Sequence, residues 1–202
     1  MNATQVKVSS IGELRDLIYG KHGLPREYVD KMLHPVPELP IVKDRKAYLI
    51  EKSKGKVVLD IGCTGSISKE IRAVAKTYYG IDNTEGDWEV CDIDHRPDQL
   101  PKHDDVEIIV LSEVLEHLAN PGYFLMALKE IYRGKLIYLT VPNAGAYCVK
   151  DDHEIVHKDH VCWYSYTTLK HLLTRYEFEI KEARWYGLGT LYRHEGIIAV
   201  IQ

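Results

Sequence analysis

Val57-Val58-Leu59-Asp60-Ile61-Gly62-Cys63-Thr64-Gly65-Ser66 reads as a buried strand that runs into a glycine turn and then a helix. The strand has no polar face apart from Asp60, the pattern of a parallel sheet covered on both sides. Glycines in such a turn let a ligand approach the backbone, and the helix N-terminus offers N–H groups with no intrahelical partner. A dinucleotide fingerprint needs G-x-G-x-x-G; Thr64 stands where its second glycine belongs, so a pyrophosphate ligand is disfavoured. Asp60, near the strand's end, suits a cationic group better than a phosphate. A turn that merely connects strand to helix would carry similar letters.

From Lys56 onward short apolar runs alternate with helical segments, the signature of βαβ units on a parallel sheet. The pattern predicts strands at 57–61, 78–81, 88–91, 106–111 and 135–141. Helices are expected at 66–76, at 113–131 with a break near Asn120-Pro121, and at 166–175, with Ser165 as a helix cap. Two more β-like runs follow, at 178–185 and 196–201. Upstream, Ser10-Ile11-Gly12-Glu13 has the form of a capping box before an amphipathic stretch, and a second helix is expected from Pro25. The proline-rich 34–40 must be extended. Residues 1–44 are therefore read as a short N-terminal helical extension that lies over the cleft as a lid, and 45–202 as one α/β domain.

Hydrophobic residues at 45% and charged residues at 28% match globular averages and exclude disordered and coiled-coil classes. Twenty-six Lys+Arg against 30 Asp+Glu give a net charge of -4, without the cationic excess that drives unselective binding to nucleic acid. The 4 cysteines form no C-x-x-C pair, so reduced thiols and a cytoplasmic location are expected. No membrane span is predicted. Ten His, and 14 Tyr against 2 Phe, point to a use for polar-tipped rings.

Asp82 ends the second strand, in Tyr79-Gly80-Ile81-Asp82-Asn83. A carboxylate at the carboxyl end of an adjacent parallel strand can accept both hydroxyls of a ribose. Asp92, after the next strand, is placed to meet the base of the same nucleoside, or is a solvated loop acid.

These residues, together with Ser112-Glu113-Val114-Leu115-Glu116-His117-Leu118 and Thr140-Val141-Pro142-Asn143, resemble a class I S-adenosylmethionine-dependent methyltransferase, closest to the subgroup of ubiquinone-biosynthesis O-methyltransferases. The resemblance covers roughly 45–202. It implies a Rossmann-like, doubly wound, seven-stranded, mostly parallel sheet with helices on both faces and an antiparallel terminal hairpin. It implies S-adenosyl-L-methionine as cofactor and S-adenosyl-L-homocysteine as product. Asp60 and the backbone of Gly62, Cys63 and Gly65 would hold the methionine end, Asp82 the ribose, and Asp92 with Ile93 the adenine. Asn83 and Ser112 complete the cofactor set. The family usually writes Asp-x-Gly-x-Gly-x-Gly, and Thr64 and Ser66 replace two of those glycines.

Glu113, Glu116 and His117 are expected at i, i+3 and i+4 on one helical face, looking into the cleft. Such a set can hold a divalent cation, can supply a general base, or can be structural. In the long connection after the fifth strand, His153, His157 and His160 precede Trp163-Tyr164-Ser165. Small-RNA 2′-O-methyltransferases place a metal ligand where His160 stands, so His160 is expected to meet His117 in space. Tyr123, Tyr147, Trp163 and Tyr164 are candidates for an acceptor pocket. The catalytic set is His117, His160 and Glu113, with no metal assigned.

The reading is O-methylation of a small-molecule or glycan acceptor by a monomer or homodimer, with histidine as the base. A catalytically inactive cofactor-binding subunit and a metal-dependent RNA 2′-O-methyltransferase stay open as alternatives. The absence of an Asn/Asp-Pro-Pro-aromatic motif argues against DNA bases.

Overall fold

In the computed structural model, the described residues are 37–144, 149–150, 153–154, 159–187 and 195–202. The helices expected at 11–18 and from Pro25, with the lid they would form, lie outside them, as do Tyr147 and His157. The chain runs β1 (Ile41–Val42), α1 (Arg45–Ser53), β2 (Val57–Ile61), α2 (Ser66–Val74), β3 (Thr77–Asp82), β4 (Glu89–Val90), β5 (Ile108–Ser112), α3 (Pro121–Ile131) and β6 (Leu136–Pro142). The short pair β7 (Val149–Lys150) and β8 (His153–Glu154), then α4 (Tyr166–Arg175), β9 (Ile180–Tyr186) and β10 (Gly196–Ile201), follow among the described residues.

Eight strands form one sheet in the order β1-β9-β10-β6-β5-β2-β3-β4. The four pairings among β6, β5, β2, β3 and β4 are parallel, and β10 runs antiparallel between β6 and β9, the expected terminal hairpin. The sheet has one strand more than the expected seven. The extra one is β1, parallel to β9 through Ile41↔Trp185, so the sheet begins upstream of residue 45.

Each element follows from its residues. Val57, Val58, Leu59 and Ile61 are at most 6% exposed. Val58, Ile108 and Val110 pack with Leu49 of α1 and with Ile67 and Ile71 of α2. By strand alternation Leu59, Ile61, Ile109 and Leu111 face the other way, and they too are fully buried, so both faces are covered. Asp44 caps α1, its side chain accepting from the Ala47 N–H. Ser165 caps α4, as expected, and does so in a reciprocal pair with Thr168.

The break expected near Asn120-Pro121 in 113–131 is present, but the part before it is not a helix. β5 ends at Ser112, Glu113 turns into the left-handed region at φ 59°, and a single 3-10 turn covers Leu115–His117 before α3 starts at Pro121. Pro121 suits a first helical position and no interior one, and Asn120 caps the helix by accepting from the Tyr123 N–H. Glu113, Glu116 and His117 therefore do not share a helical face.

Candidate functional site

A cleft of about 340 Å³ opens where the carboxyl ends of β5, β2, β3 and β4 lie side by side. This is within the usual range of small-molecule sites, and it is where ligands bind in open α/β sheets. Of the residues expected at the cofactor, Gly62, Asp82, Asn83, Asp92 and Ile93 line it, and Glu113 and His117 of the expected catalytic set join them. Thr64, Asp94, Val114 and Leu118 also line it. The sequence reading did not select those four as ligand contacts, because nothing in their type or spacing sets them apart.

The glycine turn is held by the neighbouring strand. The N–H groups of Gly62 and Cys63 donate to the Ile81 carbonyl at 2.8 and 3.2 Å. Gly62 has φ +80°, and a Cβ there would sit 2.6 Å from Val114 Cγ2, so both backbone and neighbour require glycine. Gly65 precedes α2 with no side-chain cap, which leaves the first-turn N–H groups without one.

Asp60 is not on the cleft wall. It is 1% exposed, and its carboxylate accepts from the Tyr78 hydroxyl at 2.8 Å and from Ser68. Alternation along β2 puts it on the Val58 face, beneath α2, rather than over the strand end. Burial pushes its carboxyl up, and the two donors pull it down. Cys63 is buried as well, and burial with the nearby Asp60 and Asp82 pushes its thiol up to about 12. Gly65 and Ser112 border the cleft elements without lining the cavity.

At the opposite end of the cleft, Asp82 Oδ1 accepts from the Thr84 N–H at 3.0 Å and from its hydroxyl at 2.6 Å. Asp92 accepts from the N–H groups of Asp94 and His95 at 3.2 and 3.1 Å and pairs with His95 Nδ1 at 2.9 Å. The His95 N–H bond is the main reason its carboxyl lies below the usual range. Asp94 Oδ1 accepts from the Ala119 N–H at 2.8 Å, which ties the loop after β4 to the turn after β5.

The three acidic and basic groups of the 113–117 stretch go to three places. Glu113 Oε1 accepts from Arg45 Nη1 at 2.8 Å, the Thr140 hydroxyl at 2.8 Å and the Tyr186 hydroxyl at 3.0 Å. Glu116 is 1% exposed, and neither carboxylate oxygen has a hydrogen-bond partner among the described residues. Burial, with Glu113 adding to it, pushes its carboxyl up to about 8. His117 is exposed, and its Nδ1 lies 3.1 Å from the Asp159 carbonyl. A carbonyl only accepts, so in the neutral ring Nδ1 carries the hydrogen and Nε2 is the basic nitrogen.

His160 does meet His117, as expected: their ring centroids are 4.7 Å apart at 85°. The backbone holds them together, because the N–H groups of Val161 and Cys162 donate to the Glu116 carbonyl at 2.8 and 2.9 Å. Trp163 stands 5.4 Å from the His160 ring. Tyr164, expected in an acceptor pocket, is a core residue at 6% exposure. Tyr123 turns its hydroxyl to Asp98 at 3.3 Å. His153 is described only as part of β8.

Glu116, His117 and His160 can each offer one ligand atom, all within 4.8 Å of one another. A carboxylate and two imidazoles suit a zinc-like cation. Tetrahedral zinc sets its ligands about 3.4 Å apart, so the group would have to close slightly around an ion. Glu113, the fourth member of the expected set, is not in this cluster; Arg45, Thr140 and Tyr186 hold it elsewhere.

A model of the methyltransferase-domain family matches residues 32–183. The chain belongs to this family. It is an S-adenosylmethionine-dependent methyltransferase, and S-adenosylmethionine is its methyl donor. Solved structures share the fold at low identity. A SAM-dependent methyltransferase from Archaeoglobus fulgidus has TM-score 0.61 at 17% identity, covering 92% of this chain and 97% of that one. The Burkholderia thailandensis 1,6-didemethyltoxoflavin-N1-methyltransferase, solved with bound 1,6-didemethyltoxoflavin and S-adenosylhomocysteine, has TM-score 0.58 at 11% identity, covering 98% of this chain and 92% of that one. The small RNA methyltransferase HEN1 has TM-score 0.62 at 16% identity, covering 84% of this chain and 26% of that one. No curated protein matches the sequence. Among the described residues of the methyltransferase, no helix is long and apolar enough to cross a membrane.

Proposed function

We propose that this methyltransferase transfers the methyl group to an oxygen of a small-molecule or glycan acceptor, with His117 taking the acceptor's proton. The observation that carries the reading is the histidine pair at the cleft: His117 lines the cavity, and its contact with the Asp159 carbonyl makes Nε2 the basic nitrogen. His160, packed edge to face against it, keeps the ring in place. Gly62, Asp82, Asn83, Asp92 and Ile93 would hold the donor. When bound, the donor supplies an electrophilic methyl group on a sulfonium. The chain's part is to align acceptor and donor, a gain of about 7 kcal/mol or more, and to receive the proton at Nε2 of His117.

The test is methyl transfer from labelled donor across a panel of phenols, hydroxylated small molecules and glycans, with His117→Ala beside the parent chain. The reading expects a turned-over hydroxyl acceptor and a kcat lowered about a hundredfold or more in the variant at unchanged donor affinity. Equal kcat in the variant sinks the base assignment, and turnover confined to amines sinks O-methylation.

A second reading, a metal-dependent RNA 2′-O-methyltransferase, is favoured by the buried Glu116 carboxylate beside two histidines. Against an RNA acceptor, four carboxylates and no Lys or Arg line the cavity among the described residues, and the net charge is -4. Full activity after exhaustive dialysis against EDTA excludes the metal. Loss of activity that zinc or magnesium restores supports it.

A further inference from the structure

The order of the strand ends fixes a direction along the cleft. Moving across the sheet, the lining groups are Glu113 after β5, Gly62 after β2, Asp82 ending β3 and Asp92 after β4. At the usual strand spacing these three steps span about 14 Å. With the nucleoside at Asp82 and Asp92, the amino-acid end of the donor falls over Gly62 and Glu113.

That end carries an ammonium, and the carboxylate the sequence offers for it, Asp60, is buried and bonded to Tyr78 and Ser68. Glu113 is the carboxylate on the cavity wall at this end. It stands in a left-handed backbone conformation that a residue with a Cβ holds only where its surroundings impose it. Here they do. Arg45, Thr140 and Tyr186 all donate to the same oxygen, Oε1, and the Arg45 guanidinium also lies 5.3 Å over the Tyr186 ring. The Thr140 carbonyl accepts the Glu113 N–H at 3.1 Å. With Oε1 saturated by protein donors, Oε2 is the oxygen left to serve a ligand.

We infer that Glu113 accepts the methionine ammonium of the donor, and that Arg45 is a positioning residue that holds Glu113 on the cleft wall for it. The inference rests on the placement of the nucleoside end at Asp82 and Asp92. It moves Glu113 from proton transfer to donor recognition.

The test uses two ligands that differ in the amino-acid end: S-adenosylhomocysteine, which has it, and 5′-methylthioadenosine, which lacks it. In titration calorimetry with the full chain, Glu113→Gln is expected to weaken S-adenosylhomocysteine about tenfold or more, the size of a lost charge-assisted hydrogen bond, and to leave methylthioadenosine unchanged. Arg45→Ala is expected to show the same selective loss, and Arg45→Lys, which keeps the charge, to recover part of it. Unchanged affinity for S-adenosylhomocysteine in Glu113→Gln overturns the inference. So does an equal loss of both ligands, which would mark Glu113 as a prop of the fold. Asp82→Ala should weaken both ligands; if it weakens neither, the nucleoside placement has failed, so the two readings fail on different variants.

Discussion

The imidazole of His117 stands edge to face against that of His160, 4.7 Å between centroids, although α3 and β6 lie between the two in the chain. The join is made by the Glu116 carbonyl, which takes the N–H groups of Val161 and Cys162. His160→Ala removes the ring that braces His117 without touching its Asp159 contact. The expected result is a kcat loss smaller than that of His117→Ala, with donor affinity unchanged. Measuring kcat and S-adenosylhomocysteine affinity in the two variants and the double mutant checks this. Additive losses would show that the rings act independently.

Asp82 gives one oxygen to Thr84 and lines the cavity. Asp82→Ala should weaken S-adenosylhomocysteine about tenfold or more, because two ribose hydroxyls lose a charged acceptor. The melting temperature of the ligand-free protein should barely move, since the lost bonds to Thr84 are at the surface. Calorimetry and a melting scan read the two quantities separately.

Gly62→Ala meets two penalties at once, a positive φ and a Cβ 2.6 Å from Val114 Cγ2. A loss of about 2 kcal/mol or more in unfolding free energy is expected. Val114→Ala relieves the second penalty only, so the double variant should recover part of the loss beyond additivity. Denaturant unfolding of the four proteins in the cycle measures it.

What the sequence makes legible is whatever is decided locally. β2 and β5 are runs of apolar residues that belong inside a sheet, and the Ser165–Thr168 cap is written in four consecutive letters. The strand ends that carry Gly62, Asp82 and Asp92 follow from those runs, and the cavity forms over them. What it hides is decided by distant partners. The spacing of Glu113, Glu116 and His117 is helical, but Arg45, Thr140 and Tyr186 pull Glu113 out of a helix, and none of the three is near it in sequence. Asp60 shows another limit: its letter suggests a ligand, while strand alternation aims it beneath α2, where Tyr78 donates to it. Arg45 leaves no trace in the sequence that would mark it as part of a site.

Glu116 links the site to stability. Its carboxyl is pushed up to about 8 in the folded chain by burial and by Glu113, against the 4.5 of a free glutamate. Between those values the folded protein holds a proton that the unfolded chain has released, so unfolding free energy falls as pH rises. The contribution is fully present below pH about 4.5 and is lost as pH climbs through about 8. Denaturant unfolding from pH 5 to 8.5 in EDTA should therefore show declining stability in the parent chain and a flatter profile in Glu116→Gln, whose amide cannot ionise. The same pair separates the metal reading. If Glu116, His117 and His160 take up zinc, adding it should stabilise the parent chain increasingly toward high pH, where the ligands shed their protons, and should do far less for Glu116→Gln. Parallel profiles of the two proteins in EDTA would mean that Glu116 is ionised throughout and already compensated in the fold.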